Sequence, residues 1–177
     1  MRTETASGLG LPGDIDADPD TIRSGAQALV ELRLSLTGQT EETDSRFRSS
    51  AGEFTDLVAW DITTAAADEL ILWEDTLRDL TYGAAALEQW AQDIEDYRAK
   101  RANLQARFDA SVTESAEALG DPFAVAKPLS RIRELLLEEH RGYWNTLMEQ
   151  AEEASDSLRN GPSADALARM AQTGLLT

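Results

Sequence analysis

"AADELILWEDTLRDLTYGAAALEQWAQDI", residues 66–94, decides the fold. Ala66, Leu70, Trp73, Leu77, Leu80, Ala84, Leu87, Ala91 and Ile94 alternate steps of four and three residues. A helix places such positions on one narrow seam and can lie along another helix with it; a strand would need apolar residues at every second position. Glu74 and Arg78, four apart between seam positions, read as a solvated face with helical support. The phase shifts near Tyr97, after which Leu104, Phe108 and Val112 carry the stripe on to a stop at Gly120 and Pro122. With Asp61 as N-cap, this predicts a central helix roughly 85 Å long at about 1.5 Å per residue, suited to a rod.

The flanks supply shorter helices. Asp18 is a plausible N-cap before Pro19. Ile22, Ala26, Leu29, Leu32 and Leu36 then mark one helical face, giving a first helix from about Thr21 to about Arg48, broken by "SSAGE" at 49–53. A third helix is expected from near Leu129 to about Leu158, capped by Ser130 and ended by "NGP". Its stripe is Ile132, Leu136, Tyr143, Leu147, Ala151, Ala154 and Leu158. A short fourth helix follows, capped by Ser163 and stopped at Gly174. No segment alternates like a strand. The fold class is therefore all-α, an elongated antiparallel helical hairpin or bundle with one very long central helix. Residues 1–17 read as a flexible acidic and Gly-rich arm, and 18–120 as the hairpin. Residues 121–177 read as C-terminal helices that pack on the hairpin or lead into an effector domain.

Composition narrows function. Lys+Arg 16 against Asp+Glu 33 leaves a net charge of −17, a surface that nucleic acid and anionic membranes repel. Cys 0 removes disulfides, thiolate metal sites and cysteine nucleophiles. No apolar run approaches the length of a membrane span, and no cleaved leader is expected in "MRTETASGLGLPGD". Asp14, Asp16 and Asp18 have calcium-loop spacing, but Pro19 and Gly25 stand where such a loop needs Gly and Glu. His140 follows Glu138 and Glu139, yet a Glu-x-x-His pair would need Glu at Leu137, so a solvated surface histidine is expected. No phosphate loop or nucleophile elbow is present, so neither enzyme chemistry nor a metal or other cofactor is expected.

The four tryptophans read as core anchors, partner anchors or both, with core packing the ordinary role for any one of them. Trp73 lies on the seam and is expected to be buried; Trp90 is one residue off it, at its edge. With Trp60 and Trp144 they exceed what two helices can hide, so either the third helix folds back or a second chain covers them.

At "FTDLVAWDITTAAADEL", residues 54–70, the chain resembles the WXG-type helical hairpins of type VII (ESX) secretion, and more specifically the N-terminal targeting regions of large polymorphic toxins of Gram-positive bacteria. The layout extends over about residues 15–177. Trp60 matches the motif's tryptophan. Ile62 stands where the motif has glycine, so the interhelical turn is expected to be looser or to lie earlier, at 49–53. The tail signal Tyr-x-x-x-Asp/Glu is absent: Ala86, Arg101 and Leu147 lie four residues after Tyr82, Tyr97 and Tyr143. A partner chain would supply it.

The resemblance implies a non-catalytic targeting and partner-binding domain, exported without a cleaved signal peptide and followed by a toxin domain that is trimmed or encoded apart. Trp60, Trp73, Leu77, Leu80, Leu87, Trp90 and Ile94 are the expected interface or hairpin-closing residues. Their partners would be small helical WXG-type proteins or a second copy, and the secretion machinery, with no stable membrane anchor. An acidic cytoplasmic chaperone or immunity protein that neutralises a basic effector is the alternative.

Overall fold

The computed structural model describes the backbone of residues 8–53, 57–119 and 122–176, and the side chains of 8–49, 64, 67, 69–115 and 129–176. It contains four helices, α1 (Pro19–Glu53), α2 (Leu57–Leu119), α3 (Pro122–Asn160) and α4 (Ala164–Gln172), and no strand among the described residues. The protein is all-α with one very long central helix, as the seam of residues 66–94 requires. α2 runs unbroken through Gly83 and the phase shift near Tyr97.

Boundaries differ from the sequence-based expectation in three places. α1 continues through Ser49–Glu53, so the stretch read as a breaker is its last turn and the interhelical connection falls at 54–56, outside the described residues. α2 starts at Leu57, so Asp61 lies inside the helix instead of capping it. α3 starts at Pro122, which places Ser130 in its interior. Proline lacks an N–H that the first helical position does not need, so Pro122 starts a helix where it was read as ending one.

The chain divides into two compact units. The first comprises Met1–Pro19 and Ala91–Glu152. Its core joins Leu9, Leu104 and Leu136, with Leu11, Phe108 and Ile132 packed around them. Residues 8–17 are therefore not a loose arm: Leu9 is completely buried, which contributes about 1.5–3 kcal/mol. Gly10 makes this path possible. Its φ is 71°, and a Cβ there would stand 2.8 Å from Arg133 Nη2.

The second unit comprises Asp20–Trp90 and Glu153–Thr177. α1 lies against α2 so closely at Gly83 that a Cβ there would stand 3.2 Å from Leu29 Cδ1. Gly83 thus serves helix approach within a straight run. Ala85 and Ala86 then receive Ala166 and Met170 of α4, with Leu175 and Leu176 alongside. α4 is defined at both ends. Ser163 is its N-cap, accepting from the Ala166 N–H at 3.1 Å. At the other end Leu175 N–H donates to Met170 O and Gly174 N–H to Ala171 O, with Gly174 at φ 76°. This pair of bonds around a left-handed glycine satisfies carbonyls that the helix itself leaves open. Asp18 directly precedes α1, whose first residue is Pro19.

Candidate partner-binding surface

The seam of α2 is covered unevenly along its length. Ala84, Ala91 and Ile94 are buried, Ile94 completely. Leu70, Trp73, Leu77, Leu80, Leu87 and Trp90 are only half-buried. The expected interface therefore divides. Ile94 belongs to the interior of the first unit and is unavailable to a partner. Trp73, expected to be buried, keeps an exposed edge, and its indole N–H donates to Glu69 Oε1 at 3.1 Å. Leu87 faces α1 near Gly25, where a Cβ would meet its Cδ1 at 3.6 Å. The side chains of Trp60 and Asp61 lie outside the described residues.

Beside the half-covered stretch sit two residues that periodicity does not single out. Ile71 is 60% exposed and Leu72 is 62% exposed. Both lie about 100–200° around the helix from the seam position Trp73, on the face turned away from the seam. Ile71 and Leu72 thus leave apolar surface exposed among the described residues. Buried apolar surface is the main favourable term in association between proteins, so an uncovered stripe is a place to bind.

The second unit also holds an open groove of about 880 Å³. Val30, Leu80, Ala84, Leu175 and Leu176 supply its apolar walls. Arg23 donates to Glu88 Oε1 at 3.0 Å and Arg33 to Thr81 Oγ1 at 3.2 Å, so its charged residues already hold partners. Arg78 pairs with Asp75 at 2.8 Å, three residues away rather than the four that pairing with Glu74 would need, and leaves the seam free of charge.

The first unit holds a second cluster, which sequence reading missed. His140 is 3% exposed, where a solvated histidine was expected. Its Nε2 lies 3.0 Å from Tyr97 Oη. Trp144 meets the Tyr97 ring edge-on, with centroids 5.8 Å apart. The signal was present in the spacing. His140 stands four residues after Leu136 and three before Tyr143, and so fills a vacant position in the apolar stripe of α3.

Burial, and secondarily the positive charge of Arg101, lowers the His140 pKa from 6.5. Burial raises that of Tyr97 from 10.0. Two neutral rings thus share one hydrogen bond, the arrangement that low-dielectric surroundings favour. A cavity of about 400 Å³ touches this cluster, walled by Leu137, His140, Arg141 and Trp144 and by Gly10, Pro12 and Gly13. Its ionisable walls among the described residues are His140 and Arg141.

Glu139, beside the histidine, points elsewhere. Both its oxygens accept from Arg107 Nη1 at 2.9 Å and one accepts from Tyr143 at 2.6 Å. Those bonds, Arg107 first, lower its pKa from 4.5. Asp14, once considered with Asp16 and Asp18, pairs with Arg98 at 3.0 Å. Among the described residues no three His, Cys, Asp or Glu side chains gather as a metal site.

The neutral histidine makes stability depend on pH. Its pKa is lower folded than unfolded, so the unfolded chain binds the proton more readily. Its contribution is complete above pH 6.5 and is lost as pH falls below it toward the depressed folded value. The corresponding loss from Glu139 begins only below its ordinary 4.5. Melting temperature measured between pH 6.5 and 4.5 should fall more steeply in the unmodified chain than in His140→Phe. Parallel curves would show that His140 carries no such linkage.

No described helix is long and apolar enough to cross a membrane. No family model, curated protein or solved structure matches the chain.

Proposed function

We propose that this chain is a non-catalytic, partner-binding helical domain that targets a toxin to type VII secretion. One observation carries the partner-binding half: Leu70–Leu80 is half-buried at its seam positions, while Ile71 and Leu72 beside it are about three-fifths exposed. A partner helix laid against Ile71 and Leu72 would cover them. The targeting half is supported by the resemblance at residues 54–70, where Trp60 matches the tryptophan of WXG-type hairpins.

Charge selects the partner. Two copies of a chain with net charge −17 repel each other, whereas a small helical protein of lower acidity meets no such barrier. That partner also supplies the tail signal this chain lacks. The pair is then presented to the export machinery, with the apolar stripe closed between the two chains.

The test is co-expression with small helical proteins encoded beside the gene, in hosts with and without a working secretion ATPase. Export should be ATPase-dependent and should leave the N-terminus uncleaved. A complex that stays inside the cell in both hosts would remove the targeting half. Protection of cells from a basic toxin by this chain alone would favour an immunity protein instead.

A further inference from the structure

Residues 8–17 form an irregular strip held in the first unit chiefly through its backbone. Gln105 Oε1 accepts from the Leu9 N–H at 3.2 Å, and Arg133 Nε donates to the Leu9 carbonyl at 3.2 Å. Arg101 donates to the Pro12 carbonyl at 2.8 Å. Arg98 reaches the carbonyls of Ile15 at 3.2 Å and Ala17 at 2.8 Å. Side-chain recognition is confined to a few points. Leu9 is buried against Leu104 and Leu136 with Leu11 nearby, and Asp14 pairs with Arg98.

Main-chain hydrogen bonds for affinity and a small number of anchor pockets for selectivity are how grooves recognise extended peptides. None of these contacts requires the occupant to be tethered. In so acidic a chain, three arginines converging on one strip also create a local positive groove, which attracts acidic segments. Arg101 Nε is buried there without a hydrogen-bond partner, a donor that residues 8–17 leave unused.

We infer that this groove, between α2 and α3 of the first unit, is a receptor for an extended acidic peptide of a partner protein, and that residues 8–17 occupy it in cis as a competing ligand. The ligand pattern is Leu-x-Leu-x-x-Asp, read from Leu9, Leu11 and Asp14. The site is separate from the stripe at Leu70–Leu80 and does not depend on the export reading. A tethered occupant acts at an effective concentration on the order of millimolar. The intact chain therefore binds a free peptide far more weakly than a chain whose own strip is released.

The probe is a fluorescein-labelled decapeptide with the sequence of residues 8–17, followed by anisotropy on full-length chains. Leu9→Asp removes the anchor of the cis strip, and Asp14→Arg opposes Arg98 at an exposed position. Each should bind the peptide at least about tenfold more tightly than the unmodified chain. Adding Arg98→Ala and Arg101→Ala to Leu9→Asp should abolish that gain. If Leu9→Asp loses helicity by circular dichroism, the Asp14→Arg chain decides alone. A released, helical chain that binds no better than the unmodified one overturns the inference. A concentration-dependent dimer of the unmodified chain that vanishes in Leu9→Asp would put a second copy's strip in the groove and overturn the assignment to a partner.

Discussion

Ile94→Asp is expected to abolish cooperative folding of the first unit. Ile94 is fully buried, so the substitution removes about 1.5–3 kcal/mol of apolar burial. It also places a carboxylate at a fully buried position, at a further cost of several kcal/mol. Together these approach the whole stability of a typical domain, about 5–15 kcal/mol. Thermal melts followed by circular dichroism should lose their cooperative transition. Retention of a sharp transition near the unmodified melting temperature would mean that the sealed end of the seam is not part of a core.

The opposite outcome is expected 23 residues away in the same helix. Ile71→Asp combined with Leu72→Asp changes two side chains that are 60% and 62% exposed. Exposed substitutions move stability by about 0.5 kcal/mol or less each, so the melt should hardly shift. Partner binding should weaken by at least about a hundredfold. Losing two interfacial apolar side chains removes about 3 kcal/mol or more, and each 1.4 kcal/mol is about tenfold in affinity. A double variant that still forms a full-strength complex would place docking elsewhere. The two substitutions separate a sealed position on the seam from exposed apolar residues off it.

That difference explains what was legible in the sequence. Periodicity identified α2 and the seam because helix geometry is local: the spacing from Leu70 to Ile94 carries it without tertiary information. The caps Ser163 and Gly174 were legible for the same reason, each acting on the turn next to it. Coverage is not local. Nothing in the residues near Ile94 tells that it is sealed, while Leu77, in the same register, stays half-open.

The misreadings share that origin. His140 was judged by its charged neighbours Glu138 and Glu139, although burial follows the helical face it shares with Leu136 and Leu147. Leu9 sits in a stretch with no period at all, and its burial comes from residues near 104 and 136. Pro122 was read as punctuation with the wrong sign, since proline both ends and begins helices. Among the expected surface residues, Trp73, Leu77, Leu80, Leu87 and Trp90 remain partly open. Ile94 is withdrawn, and Ile71 and Leu72 are added from exposure alone.

Light scattering on size-fractionated protein tests the docking surface most directly, with the chain alone and with small helical proteins encoded beside it. Docking through Leu70–Leu80 predicts a complex heavier than the 19.4 kDa chain that dissociates to it when Ile71 and Leu72 are both aspartate. A mass of 19.4 kDa in every mixture, or a complex indifferent to those two substitutions, would contradict it.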